Sequence, residues 1–285
     1  MKIDKTNKVS FKAKLQLHPV DIAYKKQLQQ GLKDTFNLSC KIDDLKSVAG
    51  PVELQTLLNK FQPKHYVVGD DYRVNYHIHS KASDGGMSSK EFLERAIDYA
   101  DFVFKKGKKS DDLPPFSAAL TDHNSYNGTK EVLSEIVQNP EKAENFKFVA
   151  GCEFMLDGFK KPYSAFEAVG LGFNPFDKAL NDKIQKKYND VSFVADIKRA
   201  QGTLFWAHPL LQMDKINPEF FGFLKKVGVE GVEGHYQYNR FHWENIDEMI
   251  DKVHVLAKKF NMLESGGQDN HRHTIFLDHP NKPNM

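Results

Sequence analysis

From Val74 onward, short stretches in which apolar and polar positions alternate, or apolar residues run together, recur between longer stretches with the three-to-four-residue spacing of an amphipathic helix. The short stretches, RVNYHIH, FSAALTDH, FKFVAGCEFML, FEAVGLGF, TLFWAHP, VEGVEGHYQ and MLESGGQDNH, predict seven strands. Between most of them lie SSKEFLERAIDYADFVFKK, GTKEVLSEIVQN, NPFDKALNDKIQKKY with VSFVADIKRAQ, NPEFFGFLKKV and FHWENIDEMIDKVHVLAKKF, which predict helices. Ser88 and Glu91 have the S-x-x-E spacing of a capping box at the start of the first helix. KKGKKSDDLPP reads as a solvated loop leading into the second strand. Strands alternating with helices predict an α/β fold with parallel strands. No glycine-rich dinucleotide turn follows the first strand, so a closed barrel is expected rather than an open, doubly wound sheet.

Before Val74 the pattern is less regular. AYKKQLQQGLKDTF and PVELQTLLNKF have helical spacing, and KVSFKAKLQL alternates like a strand. Charge adds a boundary here. Residues 1–64 carry 12 lysines, no arginine and six acids, a balance of +6 that leaves −4 of the net +2 for the rest of the chain. The shift near Pro63 predicts a small basic, mainly helical appendage at 1–64 and a main domain at 65–285. A lysine-rich segment is first of all a solvated surface. Without arginine and with few interleaved aromatics, it does not favour a long nucleic acid as partner.

The rest of the composition fits a folded domain: 285 residues, 40% hydrophobic with 22 phenylalanines, can bury a substantial core. The polar N-terminus has no apolar signal-like region, and no run is long enough to span a bilayer. Cys40 and Cys152 are too few for a disulfide framework. The expectation is a cytoplasmic protein with no membrane partner; oligomeric state stays open.

The chemistry gathers at strand ends. On a strand, His77 and His79 share one face and could present two nitrogens to one ion. A single His-x-His pair is weak, since 12 histidines give roughly even odds of one by chance, and His271 with His273 is a second. The wider pattern is more specific. The first strand ends in His77 and His79 with Asp84 just after it, and the second in Asp122 and His123. The third carries Glu153, the fifth His208, the sixth Glu230 and Glu233, and the seventh Asp269 and His271. In α/β barrels that end of the strands holds the active site. This many imidazole and carboxylate groups exceed one tetrahedral ion, and their mixture suits zinc, manganese or iron better than calcium. Two or three divalent ions sharing a bridging carboxylate are expected.

HIHSKASDG, LTDHNSYNG, GCE, AHP and GGQDNH, in that order, resemble the PHP (polymerase and histidinol phosphatase) family of metal-dependent phosphoesterases over about residues 72 to 275. The resemblance implies a distorted seven-stranded (β/α) barrel with up to three divalent ions. It implies that His77, His79, Glu153 and Asp269 hold the first. Glu153 would bridge to a second ion also bound by His208, and Asp84, His123 and His271 would hold the third. The family usually offers a histidine on the fourth strand where Val169 stands here; Glu167 on the same face, or His235 on the sixth strand, could replace it.

Such ions make a bridging hydroxide near neutral pH and neutralise charge on phosphoryl oxygens, so an enzyme that hydrolyses phosphate esters is expected. The expected substrate is a small phosphomonoester, a nucleotide or a short oligonucleotide. Arg240, Lys81 and Arg272 are candidates for holding its phosphate. His235, Asp122 and Arg240 are candidates for the catalytic chemistry, although Asp122 could instead orient a ligand. His18, His65, His254 and His279 fall outside the cluster. Two other classes compete: an amidohydrolase, in which a bridging lysine would stand where Glu153 does, and a non-catalytic metal-stabilised binding module, which the departure at Val169 keeps open.

Overall fold

The computed structural model describes residues 74–106, 116–139, 143, 145–157, 159, 163, 165–185, 190–236 and 245–275. The expected appendage at 1–64, its boundary near Pro63, the loop at 107–115 and Arg240 lie outside the described residues. In chain order the elements are β1 (Val74–Asn75), α1 (Ser89–Lys106), β2 (Phe116–Leu120), α2 (Asn127–Gln138), β3 (Phe146–Leu156), β4 (Phe166–Leu171), α3 (Lys178–Gln185), α4 (Val191–Arg199) and β5 (Thr203–Trp206). A 3-10 segment (Pro209–Lys215), α5 (Pro218–Val227), β6 (Gly231–Tyr236), α6 (Ile246–Lys259) and β7 (Leu263–Gly267) follow. All seven expected strands are present. Among the described residues no helix is long and apolar enough to cross a membrane.

The strands form one sheet in sequential order. The backbone after β1 bonds to the β7 side, with Tyr76 N donating to Gly266 O at 3.1 Å and His79 N to Asn270 O at 2.8 Å, which brings the sheet round into a barrel. The expectation of parallel strands fails at β4, which runs antiparallel to both β3 and β5. A parallel return needs a crossover of a dozen residues or more. Residues 157–165 are too few, so β4 comes back as a hairpin partner, and the helices α3 and α4 then restore the parallel direction at β5.

Period-two alternation sorts side chains into layers. Val74, Tyr76, Ala119, Val149, Val169, Leu171, Phe205 and Ala207 fill the barrel interior. Phe116, Ala118, Leu120, Phe146, Phe148 and Ala150 face outward onto Phe92, Leu93, Ala96 and Tyr99 of α1 and Val132, Leu133 and Ile136 of α2. On the other half, Phe154, Phe166, Leu204 and Trp206 pack with Phe193 and Ile197 of α4 and Phe220, Phe221 and Leu224 of α5. Burial of these aromatics is a main source of stability: truncating fully buried Phe154 to alanine should cost about 3–5 kcal/mol.

The helix ends are fixed locally. At α1, Ser88 N donates to Glu91 Oε2 at 2.7 Å and Glu91 N to Ser88 Oγ at 3.2 Å, the expected capping box. Asn217 caps α5 through Phe220 N, with Pro218 in its first turn, and Gly228 ends it at φ +96°, the left-handed turn that glycine adopts without penalty.

Candidate metal centre

The interior face of β3 reads Val149, Gly151, Glu153, so Glu153 stands at the barrel mouth as the polar continuation of an apolar row, fully buried. Beyond β1 the chain is held on both sides. Asn270 N donates to His77 O at 3.1 Å on one, and Thr121 N donates to Ile78 O at 2.8 Å on the other. That ladder aims His77 and His79 at Glu153. Close approach of the two chains depends on Gly267, where a Cβ would lie 2.5 Å from His77 Cβ. After His79 the chain doubles back, with Gly85 N donating to Ser80 O. Asp122 accepts from Ser80 N at 2.6 Å, Ser80 Oγ at 2.8 Å and Ser83 Oγ at 3.0 Å, clamping the turn that presents Asp84.

Two groups of ligand atoms share His79. In the first, His77 Nε2 and His79 Nε2 lie 3.2 and 3.3 Å from Glu153 Oε2, and 3.6 and 3.2 Å from Asp269 Oδ1. In the second, Asp84 lies 3.6 Å from His79 Nδ1, 3.8 Å from His123 Nε2 and 3.2 Å from His271 Nε2. Glu153 reaches beyond both. Its Oε1 is 2.8 Å from His208 Nε2, its Oε2 is 3.1 Å from His123 Nδ1, and Glu167 Oε2 is 3.4 Å from His208 Nε2. Glu153 and the seven other expected ligands therefore form one connected cluster, with Glu167 as a ninth group.

The reversal of β4 explains Glu167. In an antiparallel strand the N-terminal end faces the mouth; Val169 pairs with Glu153 and belongs to the interior apolar layer, while Glu167 stands one inward step nearer the opening. Two of the candidate ligands themselves adopt positive φ. His208, at φ +27° before Pro209, and Asp269, at φ +47°, occupy a region that costs non-glycine residues about 1–3 kcal/mol.

Glu233 orients the site from behind. Its Oε1 accepts from His77 Nδ1 at 2.8 Å and its Oε2 from His208 N at 2.7 Å. The first bond leaves His77 Nε2 to face Glu153 and Asp269, the tautomer a metal ligand needs. Burial opposes charge on His77, yet Glu233, Glu153 and Asp269 outweigh it and hold the imidazole well above its ordinary pKa. Burial likewise opposes ionisation of Glu153, but the charge of His77 and the bond from His208 hold it well below the carboxylate range. Buried carboxylates here thus favour positive charge on the facing imidazoles. A divalent cation supplies that positive charge while taking the nitrogen lone pairs. His77 Nε2, both nitrogens of His79 and Glu153 Oε2 are buried without a hydrogen-bond partner, which is what atoms awaiting a cation look like. The residues fit a divalent metal.

Other expected site residues stand elsewhere. His235 does not point to the mouth: a bulge between Val232 and His235 shifts the register, and His235 pairs with Glu264 at 3.1 Å. Tyr236 takes the inward place and donates to Asp269 Oδ2 at 3.0 Å. Sequence reasoning missed Tyr236; the signal was Gly234, a glycine inside a strand and so a marker of a bulge. Lys81 pairs with Glu91 at 3.6 Å, Arg272 is exposed beside the mouth, and Glu230 pairs with Lys198. The Asp122 carboxylate accepts from Ser80 and Ser83 of the loop, and burial pushes its pKa up against those bonds.

No protein-family model and no curated protein sequence matches the chain. Among solved structures, it is similar to a Bifidobacterium adolescentis protein described as a "putative metal-dependent phosphoesterase", with a TM-score of 0.51 and 13% identity over 70% of this chain and 87% of that one. An amidohydrolase from Chromobacterium violaceum matches at a TM-score of 0.47 and 17% identity, covering 70% of this chain and 88% of that one. A two-domain Bacteroides vulgatus protein containing a predicted PHP-like metal-dependent phosphoesterase matches at 0.42 and 17%, covering 73% of this chain and 56% of that one. At such identities a likeness speaks for architecture. The chain has the distorted seven-stranded barrel that its resemblance to PHP phosphoesterases implies.

Proposed function

We propose that the protein is a metal-dependent hydrolase of phosphate esters, acting on a small phosphomonoester, a nucleotide or a short oligonucleotide. The observation that carries this reading is Glu153, a buried carboxylate whose two oxygens face different histidine sets, His208 on one side and His77, His79 and His123 on the other. A carboxylate so placed can serve two ions at once. His77, His79, Glu153 and Asp269 would hold one, Asp84, His123 and His271 with His79 another, and His208, Glu153 and Glu167 a third. Zinc, manganese and iron suit these donors. When bound, such ions polarise a phosphoryl oxygen and lower the pKa of water.

The chain's own residues do the remaining work. Glu233 fixes the His77 tautomer, Tyr236 holds one oxygen of Asp269 so that the other faces the histidines, and Asp122 sets the turn carrying Asp84. Arg272 and Lys81, each one or two residues from a candidate ligand in sequence, and Arg240 after β6 remain the candidates for holding a phosphate. Tyr236 takes the inward position expected for His235. Glu153 in place of a bridging lysine weighs against amidohydrolase chemistry.

The test is elemental analysis of the purified protein beside Glu153→Ala, His208→Ala and Asp84→Ala, each assayed for metal-dependent p-nitrophenyl phosphate hydrolysis. Two or three equivalents of zinc, manganese or iron, with hydrolysis lost in the variants, is the expected result. Metal without turnover under reconstitution with each ion would leave a binding module and overturn the catalytic reading.

A further inference from the structure

Away from the mouth, β6, α6 and β7 bring together three more metal-binding side chains. His235 Nε2 lies 3.1 Å and His254 Nδ1 3.0 Å from the same oxygen, Glu264 Oε2, and the two imidazole centroids are 4.9 Å apart. One ligand atom from each falls within 4.8 Å of the others. We propose that this trio is a separate zinc site, distinct from the ions at the barrel mouth and fastening α6 to the outer face of β6 and β7.

The geometry is close to what zinc asks. With Zn–N and Zn–O bonds of about 2.0–2.1 Å, ligands at tetrahedral corners stand roughly 3.3 Å apart. The two nitrogen-to-oxygen distances are within a few tenths of that, so a small opening of the trio admits the ion. Two imidazoles and one carboxylate are a donor set zinc accepts, and three protein ligands leave a fourth position for water. Water can reach it, since each side chain is between a quarter and a third exposed.

The fold builds the trio by departing from regularity. Without the bulge between Val232 and His235, period-two alternation would turn His235 to the same face as Glu233, into the barrel. Gly234 leaves room for the carboxylate, because a Cβ there would stand 3.1 Å from Glu264 Cδ. His254 comes from the face of α6 beside the buried Val253 and Ala257, so the helix cannot lift away without separating the ligands. The same bulge that sends His235 outward sends Tyr236 inward to Asp269.

The experiment counts zinc after equilibrium dialysis of the full chain, by elemental analysis, in the wild type, His254→Ala and His254→Gln. The Gln variant retains size and a donor for Glu264 but is a poor zinc ligand, which protects the test against misfolding of the Ala variant. The same pair is made in an Asp84→Ala background. One equivalent fewer with each His254 substitution, in both backgrounds, is expected, together with loss of the visible d–d absorption contributed by one tetrahedral cobalt when cobalt replaces zinc. Equal metal content in folded wild type and variants overturns the site. So does a deficit seen only when Asp84 is intact, since that ion would belong to the mouth. No turnover is measured, so the result stands whether or not the protein hydrolyses phosphate esters.

Discussion

The two sides of the barrel mouth present their ligands by different means. On the side of β1, β2, β3 and β7 the strands run parallel, and His77, His79, His123 and His271 are placed by backbone bonds between neighbouring segments. On the side of β4, β5 and β6 one strand is reversed, His208 sits at φ +27° before a proline, and a bulge exchanges His235 for Tyr236. Regular pairing lets a short motif stand for a site. Irregular pairing changes which residue faces the mouth: Glu167, one of the two expected replacements for a strand-four histidine, stands nearer the opening than Val169, and Tyr236 faces inward where His235 was expected.

Glu153 touches both sides, and its loss is the largest effect expected. Glu153→Ala should abolish metal-dependent hydrolysis, by roughly 10³-fold or more given the electrostatic work asked of such a site, and should lower metal content on both sides together. Retention of the full complement of ions would show that the two sides are independent. Next comes Glu233→Gln, which loosens His77 on the parallel side and the His208 backbone on the other. Substitutions behind a ligand typically cost about 10–100-fold in metal affinity. Metal titration of this variant should fall in that range with the fold intact by circular dichroism.

Two smaller changes separate the sides. Gly267→Ala places a methyl 2.5 Å from His77 Cβ and forces the parallel side apart. Overpacking of that kind costs about 1–3 kcal/mol, readable as a lower midpoint in urea unfolding. Tyr236→Phe removes one hydrogen bond to a charged carboxylate on the bulged side, a bond worth about 1.5–3 kcal/mol, and should lower affinity for an added divalent ion tenfold or more if Asp269 is a ligand. Its thermal stability should change little. If Tyr236→Phe unfolds the protein while Gly267→Ala does not, the division between a rigid side and an adapted side is wrong.

This division also describes what could be read from the sequence. Alternation located all seven strands, because it reports which face each residue takes. It does not report direction: FEAVGLGF alternates identically whichever way it runs, so the reversal of β4 was legible only in the shortness of residues 157–165. The ligand set was legible because parallel strand ends carry consecutive motifs to one opening. Tyr236 was not, since a bulge changes the parity of everything after it and Gly234 was the single mark it left in the sequence. The same parity change placed His235 beside His254 and Glu264, which no local motif connects.

The smallest effect expected lies on the regular side, in the turn behind Asp84. Glu91 closes the α1 capping box, and its pKa is lowered from 4.5 to about 2, first by the bond from the Ser88 backbone and then by the Ser88 side chain, with Lys81 adding to it. A carboxylate whose folded pKa is depressed stabilises the fold above its unfolded pKa, and that contribution disappears as pH falls through the folded value. The stabilisation from Glu91 is therefore complete above pH 4.5 and lost between there and about pH 2. Glutamine can keep both capping bonds but carries no charge. Urea unfolding of wild type and Glu91→Gln should differ modestly at neutral pH and converge as the pH drops through that window. A constant difference across it would mean that the cap acts through shape alone, and that charge at the α1 start does nothing to hold the Asp84 turn.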